Sequence, residues 1–129
     1  MQRHPRLQPL SREHYGALKL AKLCAQAAEG DDTAIGLACQ RAIQSYADEL
    51  QPHFLFEENS LFPLLRDTSY QLLVEHALLD HRKLAELKDR MLPADKEVLR
   101  QFGQLLQAHV RFEERELFPA LETRLDQAE

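Results

Sequence analysis

The chain has 129 residues, 44% of them hydrophobic and 29% charged, and a formal net charge of −5. This is enough for one domain with a real core and too ordered a composition for a disordered chain. No basic run exceeds two residues and no apolar run nears the roughly 18–20 residues of a membrane span, so neither nucleic acid nor a bilayer is an expected partner.

Residues 1–9, with Pro5 and Pro9, read as an extended amino-terminal arm that lacks the apolar stretch of a secretory signal. Ser11 is the expected cap of a first helix to about Ala28, where Leu10, His14, Ala17, Leu18, Ala21, Cys24, Ala25 and Ala28 recur at three- and four-residue steps. Gly30-Asp31-Asp32 closes it, and Asp32 or Thr33 would cap a second helix running to the low sixties. Pro52 should kink that helix just before His53, and Pro63 should break or bend it near its end. A third helix is expected from about Ser69 to Met91, and a fourth from about Pro93 to Leu125. No strand pattern occurs. Long amphipathic helices with short connections predict an all-α fold, an antiparallel up-down-up-down four-helix bundle over residues 10–125 with a short tail at 126–129. Cys24 and Cys39 have no metal or redox spacing and read as buried free thiols, which suits a reducing cytoplasm.

One stretch occurs twice. HFLFEENSLFPLL at 53–65 and HVRFEERELFPAL at 109–121 share H-x-x-F-E-E-x-x-L-F-P-x-L, with eight of thirteen positions identical. His53 and Glu57 are four residues apart and share the face that carries Leu50, Phe54 and Leu61; His109 and Glu113 repeat the arrangement. His14 lies within the apolar stripe of the first helix. The third helix offers His76 and His81, which at a five-residue step cannot both point inward from a regular helix; either one faces the core, with His76 slightly favoured by depth, or a π-bulge admits both.

Burying an unpaired charge costs several kcal/mol, against a total stability of about 5–15 kcal/mol for a domain of this kind. At least four histidines and two glutamates on core faces therefore need compensation. Mutual His–Glu pairing would offset some of them, and a divalent metal site offsets them together. Imidazole and carboxylate without sulfur suit iron, manganese or zinc. Six or seven ligands exceed what one structural zinc takes and point to a dinuclear centre.

The chain resembles the hemerythrin-like HHE cation-binding domain over nearly its whole length. The resemblance rests on SREHYGAL, PHFLFEENSLFPLL, EHALLDHRKLAEL and AHVRFEERELFPAL, one segment per predicted helix. It implies two iron ions with an oxo or hydroxo bridge, zinc or manganese being the alternatives. His14, His53, His109 and His76 or His81 would be terminal ligands, and Glu57 and Glu113 would bridge. Two departures, Glu114 where oxygen carriers of that family have aspartate and the five-residue step from His76 to His81, set the chain apart from reversible carriage. The resemblance implies a protein that binds oxygen or a related diatomic or peroxide, for storage, sensing or detoxification, rather than a turnover enzyme. The alternatives are redox turnover on peroxide or nitric oxide, and a non-redox iron or zinc module.

Overall fold

Prolines inside helices set the local structure of half the fold. A proline lacks an N–H and its ring collides with the carbonyl four residues back, so a regular α-turn cannot contain it without distortion. In the computed structural model, which describes residues 2–128, each of the three mid-helix prolines follows a π-turn. The amide of Gln51 bonds to the Tyr46 carbonyl, that of Phe62 to Glu57 and that of Phe118 to Glu113, each spanning five residues, and Pro52, Pro63 and Pro119 come next. The kink expected at Pro52 is thus a π-turn over Tyr46–Leu50. After Pro63 the helix tightens into a 3₁₀ turn, Phe62–Leu65, and ends.

Four helices result. Helix α1 is Gln8–Ala27, α2 covers residues 32–61 with its two π-turns, α3 is Gln71–Asp89, and α4 covers residues 96–128 with one π-turn. The described residues contain no strand, and no described helix is long and apolar enough to cross a membrane. Helix α2 is capped by Asp31, whose carboxylate accepts the Ala34 amide at 2.9 Å. Asp95 caps α4 by accepting the amides of Glu97 and Val98 at 2.9 and 3.0 Å. The α2–α3 turn passes through Asp67 at φ 58°, a left-handed conformation that Asp tolerates better than most residues. The Leu92–Pro93 bond before α4 is cis.

The amino-terminal boundary differs from the sequence expectation. Ser11 is not a cap, because α1 begins three residues earlier and the Ser11 hydroxyl donates to Glu114 at 2.8 Å instead. Nor do residues 2–9 form an extended arm: Leu7 folds back on His4 (N–H to carbonyl, 2.8 Å) and is fully buried, while residue 1 lies outside the described residues. Arg3 pairs with Glu114 and Glu122, and the His4 amide donates to Glu122. At the other end α4 continues through Ala128, beyond the tail expected at residue 126; residue 129 lies outside the described residues.

The core is in two blocks. One contains Cys24, Cys39, Phe54, Leu84, Phe102 and Leu106. The other contains Leu10, Leu61, Phe62, Phe112, Leu117 and Phe118. Along α1 and α3 the chain passes from the second block to the first, and along α2 and α4 from the first to the second, so the helices alternate in direction. Helices α1 and α4 are in close contact at Gly103, where a Cβ would lie 2.9 Å from the Ala21 carbonyl oxygen. Between the blocks every helix carries buried polar residues.

Candidate metal centre

Successive i+4 steps on a 3.6-residue helix drift by about 40° each, which would carry a long stripe off its face. The π-turns that start at Glu57 and Glu113 widen the helix there and cancel the drift. His53, Glu57 and Leu61 on α2, and His109, Glu113 and Leu117 on α4, therefore all stay inward and buried. Helices α1 and α3 add His14 and His81, also buried.

The six side chains form two groups. His14, His53, Glu57 and Glu113 supply one set of ligand atoms within 4.8 Å of one another, and Glu57, His81, His109 and Glu113 supply another. Both glutamates belong to both groups and divide their oxygens between them. Glu57 Oε2 lies 3.2 Å from His53 Nε2, while its Oε1 lies 3.2 Å from His81 Nε2. Glu113 Oε1 lies 2.8 Å from His14 Nε2 and 3.7 Å from His53 Nε2, while Oε2 lies 3.4 Å from His109 Nε2. A metal with bonds of about 2.1 Å holds neighbouring ligand atoms roughly 3.0–3.4 Å apart, which matches most of these separations.

Each imidazole is also held from behind. His14 Nδ1 meets Glu114 at 2.6 Å, His53 Nδ1 meets Glu13 at 2.8 Å, His81 Nδ1 meets Glu58 at 2.6 Å and His109 Nδ1 meets Asp80 at 2.9 Å. These pairs run around the bundle in a closed ring: α1 holds α2, α2 holds α3, α3 holds α4 and α4 holds α1. A carboxylate on Nδ1 keeps the proton there and leaves Nε2 as a lone-pair donor facing inward, the usual support for a metal-ligating histidine. The whole set follows an approximate two-fold relation that exchanges α1 with α3 and α2 with α4. Aromatic rings close the walls, with Phe54 stacked on His81 at 4.0 Å and Phe118 on His14 at 5.2 Å.

The inner atoms are short of partners. His53 Nε2, His81 Nε2, His109 Nε2, both Glu57 oxygens and Glu113 Oε2 are buried without a hydrogen bond. Each such atom costs about 1–3 kcal/mol, so the group as a whole rivals the stability of a small domain. The carboxylates meanwhile demand positive charge. Burial alone would push the His53 imidazole down, but the neighbouring carboxylates of Glu113 and Glu57 outweigh it and raise it to about 11. His109 is likewise lifted against burial to about 10 by the charge of Glu113 and its bond to Asp80, and His14 is raised by Glu113 and Glu114. Burial and the charge of Glu113 push Glu57 up, whereas Glu113, although buried, is held well below its ordinary value by His109, His14 and His53. Cations placed between the two glutamates would meet both demands, giving the orphaned atoms a partner and the carboxylates a counter-charge. The residues of either group could hold a metal cation.

Of the seven residues expected from sequence, six come together. His76 does not. It is exposed, its ring stacks on Phe112 at 3.8 Å, and it reaches the group only through Asp80, whose Oδ2 lies 3.3 Å from its Nε2. Helix α3 is regular, with no π-bulge to admit both histidines, and its buried residues Val74, Ala77, Leu84 and Leu87 put His81, not His76, on the inner face. The outer carboxylates Glu13 and Asp80 were not anticipated. Each immediately precedes an inward-facing histidine in sequence, as Glu58 and Glu114 immediately follow the inner glutamates. That adjacency was the available signal, although Glu75-His76 shows the same pattern without the role.

Comparison with known proteins agrees with this geometry. The family model for the hemerythrin HHE cation binding domain matches residues 7–124. No curated protein and no solved structure matched the chain.

Proposed function

The chain belongs to the hemerythrin HHE cation-binding domain family, and from that premise we propose that it holds two iron ions and binds oxygen or a related small oxidant. The observation that carries this reading is the sharing of Glu57 and Glu113 between two four-residue groups, one oxygen of each carboxylate per group. His14 and His53 would complete one position, and His81 and His109 the other. Bound there, iron would supply coordination positions beyond its four protein donors and reducing equivalents for a small oxidant.

The chain's own part is binding, orientation and exclusion of water. Glu13, Glu58, Asp80 and Glu114 fix the ring planes and hold the Nδ1 protons, so that ligand exchange at the centre need not disturb the imidazoles. Phe54, Phe62 and Phe118 keep the inner faces dry. Cys24 and Cys39 are buried free thiols outside both groups, which supports an N/O donor set and a reducing, cytoplasmic setting. The net charge of −5 supports a small-molecule ligand over nucleic acid or an anionic membrane.

Elemental analysis with a visible spectrum tests the metal, and stopped-flow mixing of the reduced protein with oxygen tests the ligand. Iron with charge-transfer absorption near the ultraviolet edge, changing on mixing with oxygen, is the expected result. A colourless protein with zinc alone, filling its coordination with the four protein donors of each group, would refute the oxidant-binding part.

A further inference from the structure

A cleft of about 410 Å³ opens between α1 and α2 and descends to the imidazoles of His14, His53 and His109. One water takes up about 30 Å³ of liquid, and a diatomic needs little more. The cleft instead falls in the range of sites for small organic molecules, roughly 300–1,000 Å³. Its walls are apolar: Leu50, Phe54, Leu106 and Val110 line it and are themselves buried. Its mouth is acidic, with Glu13, Asp48 and Glu49 set against the single guanidinium of Arg12. Glu13 is committed to His53, and Asp48 accepts from Gln44 at 2.8 Å, while the Glu49 side chain makes no hydrogen bond or ion pair among the described residues.

One wall of the cleft is formed on α1 by Gly16 and Ala17. Gly16 lies mid-helix, where glycine is less favourable than alanine. A Cβ there would meet nothing within 4 Å, so no close packing requires the glycine. A Cβ on Gly36 would likewise meet nothing within 4 Å, but of the two only Gly16 lines the cleft. Gly103, by contrast, is forced by the Ala21 carbonyl.

We infer that this cleft binds a small organic cation, an aliphatic amine. Its carbon body lies against Leu50, Phe54, Leu106 and Val110, its ammonium sits at Asp48 and Glu49, and Gly16 leaves its path clear. The inference rests on the metal reading only for what lies at the floor, since the apolar end of the amine would point toward that centre. Shape selects a molecule larger than a diatomic, and the excess of carboxylates at the mouth selects its charge.

The test is titration of the protein as purified with n-butylammonium and with n-butyrate, followed by calorimetry and by the amide resonances of Gly16 and Ala17. The metal content of the same sample is measured alongside. The expected result is saturable binding of the amine, with the acid at least about tenfold weaker. Gly16→Phe should weaken amine binding at least about tenfold with metal content unchanged, and Asp48→Asn with Glu49→Gln should do the same without adding bulk. Absence of saturable amine binding, equal binding of amine and acid, or indifference to both variants would overturn the inference. Amine binding in a sample lacking two metal ions would support the cleft while refuting the metal reading, so the two fail separately.

Discussion

Removing Asp80 probes the ring of outer carboxylates most sharply. Its carboxylate is nearly buried, with a side-chain exposure of 10%, and holds His109 Nδ1 at 2.9 Å. Glu58 and Glu114 are more open at 34% and 31%, and Glu13 is open at 56%. Water can replace an exposed carboxylate on an imidazole but cannot reach a buried one. Loss of such a partner typically lowers metal affinity about 10–100-fold, or roughly 1.4–2.7 kcal/mol. Asp80→Ala should fall in that range, and Glu13→Ala should cost about threefold or less, as expected of an exposed pair. Asp80→Asn, which keeps an acceptor for the Nδ1 proton and loses only the charge, should lie between wild type and Asp80→Ala. Competition with a chelator of known affinity measures each constant, and far-ultraviolet circular dichroism controls for the fold. If Asp80→Ala binds metal as tightly as wild type, or Glu13→Ala costs as much as Asp80→Ala, the ring does not act as described.

Other outcomes follow from the same geometry. His81→Ala should remove one ligand of the second group and lower metal content, whereas His76→Ala should leave two ions in place; elemental analysis distinguishes them. Gly103→Ala places a methyl 2.9 Å from the Ala21 carbonyl and should destabilise by about 1–3 kcal/mol, read as a fall in thermal midpoint of several degrees. Asp95→Ala removes the cap of α4, with its bonds to Glu97 and Val98, and should cost about 1 kcal/mol in a denaturant titration.

Much of this centre was legible in the sequence because it repeats. The doubled H-x-x-F-E-E-x-x-L-F-P-x-L pattern placed His53, Glu57, His109 and Glu113 on facing helices, and the phase of Leu10 and Ala17 placed His14 beside them. The prolines marked irregular turns, but not that a π-turn would begin at each inner glutamate and hold the stripe inward. His76 and His81 lay almost evenly about the expected face of α3. The burial of Val74, a tertiary outcome, decided between them. The outer carboxylates were harder still, since each serves a histidine on a different helix. Glu13 sits beside His14 in sequence yet bonds to His53, and no local pattern encodes that pairing. The cleft likewise depends on how α1 and α2 lie together, which spacing along one helix does not reveal.

The central claim is that Glu57 and Glu113 join two metal positions. Iron per chain, determined by elemental analysis on the wild type beside Glu57→Ala and Glu113→Ala, tests it most directly. Two ions in the wild type and loss of the pair in either variant is the predicted result; a single ion in the wild type, or two ions retained in both variants, would contradict it.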